Sequence, residues 1–251
     1  MSGSMIFVSD LRQPARLLAA LALLCLLAGC GARQVVVEGE FPEPLMSPLP
    51  LNMGIWYEEE FANHEFFDEA KGRAESTWIV KTGAAQMQMW DIVLGGVFKN
   101  LEQMKNAPGS KEMNQVVDAV LVPKIEELQY AIPAHTNVKV YEIWMRYRFD
   151  MVTTAGEQIA SWTMTSYGKT PTAFLQSDEA AVNLAAVVAL RDAGANFATN
   201  FTRIPAVREW LEQRQRRIAR SEPAAKTPIG RTDSLPGQQA AEIEPTPQEA
   251  L

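Results

Sequence analysis

Apolar residues fall at every second position through the segment Val138 to Met151. Tyr141, Ile143, Met145, Tyr147, Phe149 and Met151 alternate with Glu142, Arg146, Arg148 and Asp150. A period of two is that of a strand with one covered and one open face. Thr153-Thr154-Ala155-Gly156-Glu157 has turn chemistry, and Gln158 to Tyr167 reads as the returning partner of a hairpin. Elsewhere the period changes to three and four. Met87, Trp90, Leu94, Val97, Phe98, Leu101 and Met104 predict a helix from Ala84 to Lys105, with Met89, Ile92 and Val93 making a second side apolar. Leu184, Val187, Leu190, Gly194, Phe197 and Phe201 predict another from Ser177 to Phe201. Ser177 is its N-cap, and Asp178 and Glu179 suit its first turn. Pro205 opens a shorter helix through Trp210.

Three further strand regions are read. Leu51 to Tyr57 alternates, Trp78-Ile79-Val80 is a compact apolar run, and Val116 to Tyr130 is the third strand region. Within it, the unbroken run Ala119-Val120-Leu121-Val122 suits a central strand covered on both faces. Pro123 marks an interruption, an edge or a bulge there. Gly95-Gly96 weakens the first helix, which a close helix–sheet contact would explain. Residues 30–50, with Pro42, Pro44, Pro48 and Pro50, read as a tether, in which Val35-Val36-Val37 is a short edge strand. From residue 221 the chain is rich in Pro, Ala, Gln and Glu and reads as a disordered tail. The order of elements predicts one α+β domain over residues 51–220, a mixed or antiparallel sheet with two long helices packed on one face.

The first residues change the picture. Arg12 and Arg16 precede the apolar run Leu17 to Leu26, which is too short to span a bilayer and ends in Leu27-Ala28-Gly29-Cys30. This is a signal segment over residues 1–29, and its last four residues resemble a bacterial lipobox. The resemblance implies that Cys30 is acylated and becomes the first mature residue, so that the protein meets the membrane through a lipid anchor. Gly31 stands where Asp would retain such proteins at the inner membrane, which implies the outer membrane, facing the periplasm. Of the two cysteines, Cys25 lies in the signal. A disulfide framework is therefore excluded, and the fold rests on its apolar core. The net charge of −7 gives no basis for nucleic-acid binding.

Candidate chemistry is sparse. There is no Gly-x-Ser-x-Gly elbow, no phosphate-binding glycine loop and no zinc-protease histidine pair. Glu60, His64 and Asp68 are four apart and would share one face of a helix, an oxygen and imidazole set able to hold a divalent metal. The other reading is a solvated acidic loop held down by Phe61, Phe66 and Phe67. His135 reads as a surface histidine. Trp144, Arg146 and Arg148 form either a partner surface or cross-strand ion pairs with Glu142, Asp150 or Glu157. Arg208, Arg214, Arg216, Arg217 and Arg220 make the end of the last helix basic, for an anionic contact or as solvated charge. The methionines are spaced as core fillers.

With these elements placed, the chain resembles the small α/β domains of outer-membrane lipoproteins. Among these are the lipopolysaccharide-translocon lipoprotein, the curli-secretion lipoprotein and the auxiliary lipoproteins of envelope ABC transporters. The resemblance is carried by the lipobox, the step from Trp78 to Met104, the strand Asp118 to Val122, and the hairpin from Tyr147 to Trp162 followed by an alanine-rich helix. The missing catalytic motifs, the lipid anchor, the tether and the tail fit a non-enzymatic assembly or transport accessory that works without a cofactor, through protein or glycolipid binding in an envelope protein complex. Its contacts would be Trp144, Arg146, Arg148, Arg214, Arg216 and Arg217. The alternative is a metal-binding protein or metal-dependent enzyme built on the His64 segment.

Overall fold

The computed structural model describes residues 32–68, 77–112, 115–131, 140–171 and 177–221. Cys30, His135, the expected signal segment and the expected tail beyond residue 221 lie outside the described residues. Residues up to Leu211 belong to one compact unit and those from Glu212 to another.

The alternation in the long hairpin translates directly into two strands, β7 (Val140–Val152) and β8 (Gln158–Pro171), paired antiparallel with Tyr147 opposite Met164. Every apolar residue of the β7 alternation is buried. The turn needs a left-handed residue, and Gly156 supplies it with φ +86°. β6 (Ala119–Ala131) pairs antiparallel with the other side of β7. β2 (Leu49–Ile55) runs parallel to β6, and β5 (Phe98–Gln103) parallel to β2, completing a mixed sheet of order β5-β2-β6-β7-β8. A second sheet of three strands has the order β1-β4-β3. It joins β1 (Arg33–Val36), β4 (Trp78–Lys81) and β3 (Glu65–Asp68), the first pair parallel and the second antiparallel.

β6 has the double burial expected of a central strand. Ala119 and Leu121 enter the main core, while Val120 and Val122 form a smaller cluster with Met104 on the opposite face. Pro123 lies just past the end of the β2 ladder. The Leu121 carbonyl accepts from Trp56 N–H on that side. The missing N–H of Pro123 therefore points to the side where no ladder partner remains, and a bulge follows between Ile125 and Glu127.

Both long helices cover one face of the sheet, as the sequence predicts. α2 (Gly83–Val97), which follows the single-turn α1 (Glu59–Ala62), brings in Trp90, and α3 (Asp178–Asn200) brings in Phe197. Their rings meet Phe149 of β7 at 4.9 and 5.1 Å. Ser177 caps α3 as expected, its hydroxyl accepting from Ala180 N–H at 3.1 Å. The buried stripe of α3 differs at one expected residue: Leu184 is 38 % exposed, while Ala181, Ala185, Ala186, Ala189 and Ala193 are buried, with Ala185 and Ala189 against Gly168 of β8. Small residues let this helix approach the strand backbone. It lies along the open edge of β8, where Asp192 accepts from Tyr167 N–H at 3.0 Å and Asn196 donates to the Thr165 carbonyl at 3.4 Å. A sheet edge that would otherwise offer unpaired backbone groups is thereby covered.

Three expectations are corrected. The first helix stops at Val97, and Phe98–Gln103 continues without a break as edge strand β5, with Leu101 opposite Met53. Phe98, Leu101 and Met104 fit a helical count, but Gly95-Gly96 weakens that helix while β2 offers a ladder. The close contact at Gly96 is with the proline-rich segment, since a Cβ there would lie 2.7 Å from Pro44 Cδ, whereas Gly95 has open space. The expected tether over residues 30–50 joins the fold from Arg33 onward. β1 pairs with β4, and Val35, Val37 and Phe41 are core residues. Finally, α4 (Pro205–Ser221) continues well past Trp210, with Val207 buried against the core.

Candidate functional site

The face of β6, β7 and β8 turned away from the helices is polar, and the strand register decides its neighbours. Gln129 stands opposite Trp144 and Glu127 opposite Arg146 across the β6 ladder. On the other side Trp144 faces Tyr167, Arg146 faces Thr165 and Arg148 faces Thr163. Trp144 is 39 % exposed, and its ring lies 5.0 Å from that of Tyr167 at a tilt of 35°. The Tyr167 hydroxyl donates to Glu142 at 2.8 Å, and this bond raises the phenol above its ordinary pKa. A shallow depression of about 230 Å³ is lined by Glu127, Gln129, Trp144, Met145, Arg146 and Thr165.

Three cations on this face are each paired with a carboxylate. Arg146 pairs with Glu127 at 3.1 Å across to β6, and Arg148 with Asp150 at 3.0 Å along its own strand. Asp150 also accepts from Ser161 at 2.7 Å. Lys124 bridges to Glu58 at 3.0 Å. Such exposed pairs contribute about 0–1 kcal/mol each to stability. They do hold the long side chains in place beside the aromatic pair. Sequence reasoning singles out Trp144, Arg146 and Arg148, and the structure puts all three on this face. Tyr167 and Gln129 are missed, because their adjacency follows from register across strands.

The His64 segment takes a different form from the one expected for a metal site. α1 ends at Ala62, Asn63 caps it, and Asp68 closes β3. Glu60, His64 and Asp68 therefore do not share a helical face. The strand wins because Phe66 and Phe67 pair with Val80 and Ile79. The His64 ring is half-buried with Nδ1 2.7 Å from Thr82 Oγ1, which also accepts from Gln86 Nε2 at 2.7 Å. The Thr82 hydroxyl also lies within 3.5 Å of the His64 carbonyl, to which it donates. Burial lowers the His64 pKa, against a smaller upward pull from Glu65, so the ring is neutral. A cleft of about 470 Å³ beside it is lined by Glu58, Glu60, Glu65, Glu126, Lys124 and Arg148, among others. Among the described residues no group of three His, Cys, Asp or Glu side chains is placed to hold a metal.

Arg216, Arg217 and Arg220 are exposed on the last turns of α4 and, with Gln213, line a groove of about 410 Å³. Arg214 is half-buried. These residues belong to the unit that begins at Glu212. Among the described residues no helix is long and apolar enough to cross a membrane.

No family model and no curated protein matches the chain. Solved structures do. A Xanthomonas campestris protein of a family of unknown function matches with 10% identity and a TM-score of 0.47, over 72% of this chain and 99% of its own. A minor lipoprotein from Acinetobacter baumannii matches with 13% identity and a TM-score of 0.34, over 66% and 96%. A lipoprotein from Neisseria meningitidis matches with 10% identity and a TM-score of 0.24, over 76% and 100%.

Proposed function

We propose that this is a non-enzymatic lipoprotein of the bacterial envelope, anchored through Cys30 in the outer membrane and facing the periplasm. It acts as an assembly or transport accessory by binding a protein partner on the outer face of β6, β7 and β8. One observation carries the binding surface: the exposed Trp144–Tyr167 pair beside a depression, on three long strands whose other face is a packed core. Tryptophan, tyrosine and arginine are enriched among the residues that anchor protein interfaces, and the two aromatics bury large area at a low entropic cost. Here the anchors are preorganised by the sheet, and the flanking arginines are paired before the partner arrives. The lipobox supports the address, and the lack of recognisable catalytic motifs supports a binding role.

The test is photo-crosslinking in cells. A benzophenone amino acid at Gln129 or Thr163 reports on the outer face, and one at Ala195 on the exposed side of α3. The proposal expects a discrete protein adduct from the first two positions, none from the third, and loss of the adduct on Trp144→Ala. Equal labelling from all three positions, or adducts indifferent to Trp144, would overturn it.

A further inference from the structure

The first described strand sets how far the folded body stands from its anchor. Arg33 N–H donates to the Thr77 carbonyl at 2.8 Å, and its guanidinium lies 5.3 Å from the centre of the Trp78 ring. Its Nη1 is 2.9 Å from Asp178 and 3.6 Å from Glu179, at the start of α3. Arg33 is thus tied to both β4 and α3. Only Gly31 and Ala32 separate it from Cys30. Three fully extended Cα steps span about 10–11 Å.

The element ends near Arg33 define one pole. β4 begins there and β3 ends there, with Asp68 opposite Trp78. Tyr141, at the start of β7, bonds Asp178, and Val140 is opposite Pro171, where β8 ends. The hairpin turn at residues 153–157 is at the other end of β7, about 40 Å away at roughly 3.3 Å per residue. We infer that this Arg33–Trp78–Asp178 pole rests against the headgroup layer of the bilayer, so that the domain stands on the membrane surface and the β7–β8 turn points away. The inference rests on the acylation of Cys30 proposed above. Because Asp178 and Glu179 already compensate Arg33, the placement comes from the short link and does not depend on anionic lipid. The outer face then stands upright, with Trp144 about 13 Å along β7 from its membrane end at the same rise per residue.

The experiment uses the full acylated chain in phosphatidylcholine vesicles that carry a headgroup nitroxide quencher. After signal removal Cys30 is the sole cysteine and its sulfur is blocked, so Lys169→Cys and Ala155→Cys each accept one fluorophore. Lys169 lies near the proposed membrane end, opposite Glu142, and Ala155 lies in the far turn. The expected result is loss of most of the fluorescence at Lys169, little change at Ala155, and no difference between the two once a long Gly-Ser linker is inserted after Ala32. Mass spectrometry of the same sample reads the acyl chains on Cys30. Acylated protein with equal quenching at both positions overturns the placement and leaves the anchor standing. Vesicle-free protein without acyl chains overturns the anchor and the placement with it.

Discussion

Gly168 of β8 and Ala185 of α3 are in backbone contact: a Cβ on Gly168 would fall 2.1 Å from the Ala185 carbonyl oxygen and 2.4 Å from Ala189 N. Backbone cannot move aside as a flexible side chain would. Gly168→Ala is therefore expected to push α3 off the strand edge and cost at least about 2–3 kcal/mol, more than a simple helix or strand substitution. Urea unfolding of the variant measures this. A change below about 0.5 kcal/mol would mean that the helix does not lie this close.

Trp90 is fully buried among Tyr147 at 5.5 Å, Phe149 at 4.9 Å and Phe197 at 5.6 Å. It is the contact through which α2, α3 and β7 share one core. Trp90→Ala should cost about 3–5 kcal/mol, as large aromatic truncations in tight cores do. Its Nε1 has no hydrogen-bond partner. Trp90→Phe, which removes that unsatisfied donor, should cost clearly less in the same unfolding measurement.

Ser177 holds the first turn of α3 through one hydrogen bond to Ala180 N–H, with Asp178 and Glu179 following. Ser177→Ala should lower stability by about 1 kcal/mol, and Ser177→Asp should restore it. Thermal unfolding of the three proteins compares them directly.

His64 gives stability a pH dependence. Its folded-state pKa lies below the ordinary 6.5, chiefly through burial. Between the two values the unfolded chain binds a proton that the folded chain excludes, so stability rises with pH in that window. The contribution is complete above pH 6.5 and is lost as the pH falls from there to the folded-state value. Urea midpoints from pH 8 to pH 5 should fall more steeply for the parent than for His64→Gln. Parallel curves would show that His64 titrates freely in the folded protein.

Local pattern accounts for the elements whose neighbours in sequence are also their neighbours in space. The β7–β8 hairpin needs only a period of two and a glycine in the turn, and the cap of α3 needs only Ser177 and the two acids after it. Phe98–Gln103 was illegible for the opposite reason. A three-and-four count cannot separate a helix from an edge strand when the deciding partner, β2, lies more than 40 residues earlier. Arg33–Val36 was legible in part: Val35-Val36-Val37 reads as an edge strand, but its partner β4 lies more than 40 residues later and the prolines between them suggest a tether. The acidic segment around His64 reads as a helical face only until β4 draws Phe66 and Phe67 into a strand.

The sequence alone determined the α+β class, the buried face of β7, the central character of β6 and the polar face carrying Trp144, Arg146 and Arg148. Those features follow from side-chain periodicity and turn chemistry, which act over a few residues. Tertiary structure decided that Tyr167 stands beside Trp144, that Arg33 is pinned to Trp78 and Asp178, and that a second sheet exists. Each of these depends on strand register and on free energy gained between distant segments, which no local pattern encodes.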